Sequence, residues 1–292
     1  MASDMSCRVL TPACAVLLLC ALAGSALAQS RNALVIGNAA YQSAPAMKTP
    51  ATDAAIVAET LQAAGYDVTE LHDVRQADIG QTMRGFLDKI AAGGPNGIAF
   101  FYYSGHAARS KGKNFLVPVD AVINSDGDVA SEAFRLEDLL DELLTMPLSA
   151  RIVVLDAARD HAFGRAGGKP VAKGLATGGM PPGTLLAYAA APGAIAIDGD
   201  DDYSLFTGTL VTMMRQPGLN LEQMLRNTRI EVNKATGGAQ TPWTKSALNA
   251  ELRLFETPEQ EANDSKPKKS QRRRSDPGPI GVMRDILRRG PF

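Results

Sequence analysis

Beyond residue 20 this chain contains no cysteine. Its three cysteines, Cys7, Cys14 and Cys20, all lie in the first 20 of 292 residues. A mature chain without that leader has no disulfide, no Cys-ligated metal and no cysteine nucleophile. Charge of one sign is also scarce. The net charge of -1 argues against a dedicated nucleic-acid binder at whole-chain level, and no nucleic-acid partner is expected. There is no phosphate-binding loop and no His/Cys metal cluster. The one long apolar run is near the start. Arg8 precedes Ala13 to Ala23, and Ala26-Leu27-Ala28 has the small-x-small pattern of a signal-peptidase site. The expectation is a signal peptide over 1–28 and export to a periplasmic or extracellular location. An uncleaved anchor is the alternative, although Pro12, Gly24 and Ser25 interrupt the run.

What is present suits one soluble domain of about 230 residues, enough to bury a core without disulfides. Residues 29–256 form that body. Residues 257–292 carry nine Lys/Arg against five Asp/Glu, with Arg272–Arg274 at their centre. This composition reads as a basic, largely disordered tail, and anionic envelope polymers or lipid head groups are the partners it would suit.

Within the body, apolar runs and helical spacing alternate. Arg31–Ile36, Tyr66–Leu71, Ile98–Tyr103, Arg151–Asp156 and Thr184–Ala189 read as strands, with Glu251–Phe255 as a sixth. Asn114–Val119 is a further short apolar run. Thr52–Ala64, Asp78–Ala92, Leu136–Leu144, Leu205–Met214 and Leu221–Lys234 read as helices. Gly164–Pro182, rich in Gly and Pro, reads as a long loop. The alternation predicts an α/β fold with a mostly parallel six-stranded sheet and helices on both faces. Functional groups in such sheets gather where strands end. Tyr102-Tyr-Ser-Gly-His106 and Leu155-Asp156-Ala-Ala158-Arg159 place His106 and Ala158 at two such ends.

These segments resemble the caspase-like cysteine peptidases (caspases, paracaspases, metacaspases and bacterial relatives). Arg31–Asn38 with Tyr41 is similar to the family's first strand and loop, and Tyr102–His106 to its histidine motif. Asn114–Asp120, Gly183–Gly193 and Gln240-Thr-Pro-Trp243 are similar to later segments of bacterial members. The resemblance spans nearly all of residues 31–256 and implies a three-layer caspase-like fold. It also implies a Cys–His dyad in which imidazole manages protons for a thiolate. At the position of that thiol stands Ala158. Ala107 follows His106 where the family has a glycine whose N–H helps form the oxyanion hole. Two departures in one site point to natural decay of a peptidase.

The expectation is an inactive peptidase-family domain that binds peptide or protein, with His106 retained beside a degenerate nucleophile position. Asp156 has two open readings. The resemblance makes it a pocket acid selecting Arg or Lys, so that the partner is a peptide or protein with basic residues. Sequence position alone makes it a cap for the loop after the fourth strand. Two further functions stay open: a hydrolase using a hydroxyl such as Ser104 or Thr177, and an envelope adaptor acting through the tail. No metal or other cofactor is expected. Calcium is a lesser possibility at Asp198–Asp202 or Asn124–Asp128, whose spacing does not supply the loop glycine and closing glutamate of an EF-hand.

Overall fold

In a computed structural model, residues 29–157, 175–176, 180–197 and 202–257 are described. The chain divides into two compact units, residues 1–255 and 256–292. Of the second, only Glu256 and Thr257 are described. The predicted signal segment, Ala158, Thr177, Asp198–Asp201 and most of Gly164–Pro182 lie outside the described residues, as does the tail from residue 258.

The first unit is built on a six-stranded sheet in the order β2-β1-β3-β7-β8-β9. Its strands are β1 (Arg31–Gly37), β2 (Asp67–His72), β3 (Ile98–Ser104), β7 (Ala150–Asp156), β8 (Thr184–Tyr188) and β9 (Trp243–Ser246). The first five are parallel and β9 is antiparallel to β8. All residues of β3, β7 and β8 are buried, as strands covered on both faces require. Alternate side chains sort into two cores. Val35, Tyr102, Val154 and Ala187 face α1 (Pro50–Ala63), α5 (Leu205–Met214) and α6 (Leu221–Ala235). Ile36, Tyr103, Leu155 and Tyr188 face α2 (Gln76–Ala92) and α4 (Leu136–Thr145). These are the three layers expected. Among the described residues no helix is long and apolar enough to cross a membrane.

A second, three-stranded antiparallel sheet contains the short apolar run Asn114–Val119 in part, and its other two strands have no counterpart in the sequence pattern. It joins β4 (Ala107–Ser110), β5 (Lys113–Leu116) and β6 (Phe134–Arg135), with the one-turn α3 (Val129–Glu132) beside it. It covers a small core of Tyr41, Phe115, Val117, Val119 and Ile123. The predicted sixth strand, Glu251–Phe255, is a correction. Its apolar residues pack on the α5–α6 side of the core, and Arg253 makes only an isolated bridge to Asn220. The sixth strand is β9 instead, a half-exposed Trp-Thr-Lys-Ser edge with almost no hydrophobic signature.

Local chemistry sets the joints. Pro50 opens α1. Ser204 caps α5, and Asn220 with Gln223 forms a capping box on α6. Arg151 reaches from β7 to the carbonyls of Leu143 (2.7 Å) and Met146 (2.5 Å), closing the C-terminus of α4. Gly37 is fixed by close approach, since a Cβ there would lie 2.2 Å from the Pro50 carbonyl oxygen. Gly37→Ala should therefore destabilise the domain by about 2–3 kcal/mol, an overpacking cost with backbone on the other side. Gly85→Ala, on an exposed α2 face with nothing within 4 Å, should stabilise it by about 0.5–1 kcal/mol. Urea midpoints of the two variants check both signs.

Candidate functional site

The parallel register aligns the strand ends. Gly37 pairs with Ser104, and Ser104 with Asp156. His106 lies two residues past β3, beside the end of β7.

Two phenols hold the backbone of His106. Its N–H donates to Tyr41 Oη at 2.7 Å, and its carbonyl accepts from Tyr103 Oη at 2.7 Å and Val117 N–H at 3.1 Å. Burial, with Tyr103 as a further cause, keeps the Tyr41 phenol well above its ordinary pKa, and burial does the same for Tyr103. Both therefore stay neutral donors. Gly105 threads between them, where a Cβ would sit 2.6 Å from Tyr41 Oη and 2.9 Å from Tyr103 Oη. The imidazole lies against the Tyr41 ring, with centroids 4.4 Å apart. Its Nε2 is 2.8 Å from the Pro45 carbonyl oxygen, which can only accept. In the neutral ring this puts the proton on Nε2 and the lone pair on Nδ1. The loop carrying Pro45 is anchored by the buried Asn38 amide, which donates to Val117 O and accepts from Val74 N–H.

Ala107 opens β4 opposite Leu116. Because the His106 carbonyl takes the Val117 N–H, Ala107 and Leu116 form the non-hydrogen-bonded kind of antiparallel pair, and the Ala107 N–H points away from β5. Ala107 is not among the residues with positive φ. The backbone here is one that alanine adopts without strain.

Asp156 ends β7 and is fully buried, its Oδ2 accepting from Thr207 Oγ1 at 3.0 Å and from Ser204 Oγ. Beside it lies an acid that sequence reasoning misses. Asp53, in the first turn of α1, accepts from Ser204 N–H at 2.8 Å and Ser104 Oγ at 3.1 Å. Tyr102 and Thr207 close the nest with a 2.5 Å hydroxyl pair. Burial first, and then the charge of Asp156, pushes Asp53 up to about 7. The readable signal was its place on the stripe it shares with Val57 and Leu61, four and eight residues on, both buried. An acid on the apolar stripe of a helix needs a reason.

The remaining candidates separate. Ser104 points into this nest and donates to Asp53. In Asn124–Asp128 the Asp128 carboxylate is taken by Asn124 N–H and by Ser125 N–H and Oγ. Among the described residues no group of three or more His, Cys, Asp or Glu could hold a metal ion.

Asp53 sets a pH dependence. In the unfolded chain it ionises near 3.8, and in the folded protein near 7. Between those values the folded state binds the extra proton, so this group makes stability fall as pH rises, by at most about 1.4 kcal/mol per pH unit. Asp53→Asn should remove that slope, so that its stability relative to wild type rises from pH 4 to 7 and is flat above. Denaturant unfolding across that range checks it.

Comparison with known proteins adds the lineage. The caspase-domain family, peptidase family C14, matches residues 30–253. The mouse homolog of mucosa-associated lymphoid tissue lymphoma translocation protein 1 is 32% identical over 98 residues, 34% of this chain and 11% of that protein. The human protein of that name is 32% identical over 96 residues, 32% of this chain and 11% of that protein. Each match thus spans about a tenth of the relative's length. A mostly parallel three-layer sheet with a histidine and an aspartate at adjacent strand ends agrees with a match over the whole body, and the chain belongs to the caspase-domain family of peptidases.

Proposed function

We propose that this protein is an exported caspase-domain pseudopeptidase that holds a peptide or protein segment carrying Arg or Lys. One observation carries the reading. The chain has alanine at residue 158, where the resemblance puts the nucleophilic thiol, and no cysteine anywhere after residue 20. Losing the nucleophile of a comparable peptidase costs on the order of 10⁶ in turnover. A methyl group has no lone pair, and no base can supply one. Part of the dyad's setting remains. His106 is clamped with its lone pair on Nδ1, and the outward N–H of Ala107 would serve an oxyanion or a bound carbonyl.

The partner's chemistry follows from the acid nest. Asp53 and Asp156 are two carboxylates at one strand edge, satisfied by Ser204 and its neighbours. A guanidinium has five donors and fixed positive charge. It would replace the Ser204 donors and relieve the repulsion that pushes Asp53 up. Binding therefore requires Ser204, at the N-cap of α5, to give way. Ser104, buried and committed to Asp53, is a poor hydroxyl nucleophile. In this reading the Ala26-Leu27-Ala28 site releases the leader, and the basic tail would contact anionic envelope material.

The test compares hydrolysis of Arg- and Lys-ended reporter peptides by wild type and by Ala158→Cys. Wild type should be silent and the revertant should cleave. Adding Asp156→Asn to the revertant should lower cleavage of the basic reporters at least tenfold, a lost charge-assisted hydrogen bond being worth about 1.5–3 kcal/mol. Wild-type cleavage that survives repurification and disappears in His106→Ala would sink the pseudopeptidase reading.

A further inference from the structure

Two hydroxyls close a ring of hydrogen bonds around the backbone of His106. The His106 N–H donates to Tyr41 Oη at 2.7 Å, so that oxygen accepts there and its own proton points elsewhere. Tyr103 Oη lies 3.2 Å from it and the Val117 carbonyl oxygen 3.3 Å. Tyr103 Oη in turn donates to the His106 carbonyl at 2.7 Å. The bonds run from the N–H of His106 through Tyr41 and Tyr103 back to its carbonyl, and members of such a chain polarise and strengthen one another. Gly105 enters the ring at φ +155°, a conformation that a side chain rarely permits.

The two phenols are not equivalent. On the carbonyl side Tyr103 has a second donor beside it, the Val117 N–H at 3.1 Å. Tyr41 meets His106 twice. It takes the N–H, and its ring lies against the imidazole with centroids 4.4 Å and planes 52° apart. The imidazole also has a polar hold in the same loop, Nε2 on the Pro45 carbonyl oxygen at 2.8 Å. A carbonyl oxygen takes donors over a broad range of directions, so that bond by itself leaves the imidazole plane loose. The Tyr41 ring removes this freedom. Tyr41 can hold another residue because its own loop is braced. Asp73 Oδ1 accepts from the N–H groups of Ala39 (2.8 Å) and Ala40 (2.9 Å), and the Val119 carbonyl accepts from Gln42 N–H at 2.8 Å. The backbone is thus tied down on both sides of Tyr41.

We propose that Tyr41 is the positioning residue of His106. Its hydroxyl fixes the point at which the side chain leaves the backbone, and its ring fixes the imidazole plane. Tyr103 supports the carbonyl and is backed there by Val117. The proposal rests on the reading of His106 as the histidine of a peptidase-type site, and it extends that site to a residue 65 positions upstream.

Kinetics of the Ala158→Cys chain and spectra of the chain with Ala158 intact test it separately. In the first, Tyr41→Phe should lower kcat for an Arg-ended reporter about ten- to a hundredfold with KM nearly unchanged, the scale of a misplaced catalytic group. Tyr41→Leu, which removes the ring as well, should lower it further. Tyr103→Phe should cost no more than about threefold, since Val117 still holds the carbonyl. Each phenylalanine variant loses one buried hydroxyl with three partners. Their urea midpoints should therefore fall alike, and a role in folding alone would lower the two activities together. In the second, long-range proton–nitrogen spectra at mildly alkaline pH should place the His106 proton on Nε2, the signals being assigned by their loss in His106→Gln. Tyr41→Phe should mix the two tautomers and Tyr103→Phe should not. A silent Ala158→Cys chain would count against the peptidase reading of the groove, and the spectra would then decide the role of Tyr41 by themselves. Equal losses of kcat in the two phenylalanine variants, a loss carried by KM, or a single tautomer kept in Tyr41→Phe would overturn the proposal.

Discussion

The parallel register of β1, β3 and β7 is the constraint on which the site depends. It makes Gly37, Ser104 and Asp156 neighbours at one edge. The chain leaving β1 and the chain leaving β3 therefore meet above β7. Gly37 must lack a side chain because α1 begins against it, with the Pro50 carbonyl 2.2 Å from where a Cβ would be. That close approach seats Asp53 over Ser104 and brings it to Asp156. The same junction starts the loop in which Asn38, Tyr41 and Pro45 converge on His106. One packing contact thus sets both the acid nest and the histidine.

The nest is poor design if stability is the only criterion. Two buried carboxylates repel, and apolar residues of similar volume would often be as stable or more so. The protein lessens the cost by surrounding them with the hydroxyls of Ser104, Ser204 and Thr207. It also holds Asp53 near its protonation midpoint at neutral pH. Such polar concentration sits at the strand edge and not in mid-sheet, where Val35, Phe101 and Val153 are fully buried and apolar. Rules of packing that are broken in one place, beside the chain's chemistry-bearing loops, mark a functional site more than a structural one.

The architecture was legible because strands buried on both faces are continuous apolar runs. Ile98–Tyr103 and Arg151–Asp156 stand out on hydrophobicity alone, and amphipathic spacing marks α1 and α2. What was not legible had no such signature. β9 is Trp-Thr-Lys-Ser at an edge, and its pairing is decided by β8, not by its own residues. Glu251–Phe255 has the right alternation but spends it on helices, since tertiary context overrides a five-residue pattern. β4 and β6 are too short to show a period. The site was half legible. His106 and Asp156 stood at predicted strand ends, but Asp53 looked like an ordinary first-turn acid until α1 was seen to bury it. The roles of Tyr41 and Tyr103 were hidden for a different reason, because their partners are backbone atoms of residues up to 76 positions away.

The frame around His106 is built from backbone and aromatic contacts that need no thiol. Among the described residues, His106 is held from β1's loop and from β3 and β5: Pro45 O on Nε2, Tyr41 on the ring and the N–H, Tyr103 and Val117 on the carbonyl. These backbone and ring contacts serve folding as well as catalysis, so the histidine's setting is weak testimony for catalysis. The acid nest is different. An apolar replacement at Asp53 or Asp156 would relieve repulsion and leave the register intact, so folding alone gives little reason to keep both. On the proposed reading, retained function is written in the carboxylates more than in the histidine, as binding of positive charge.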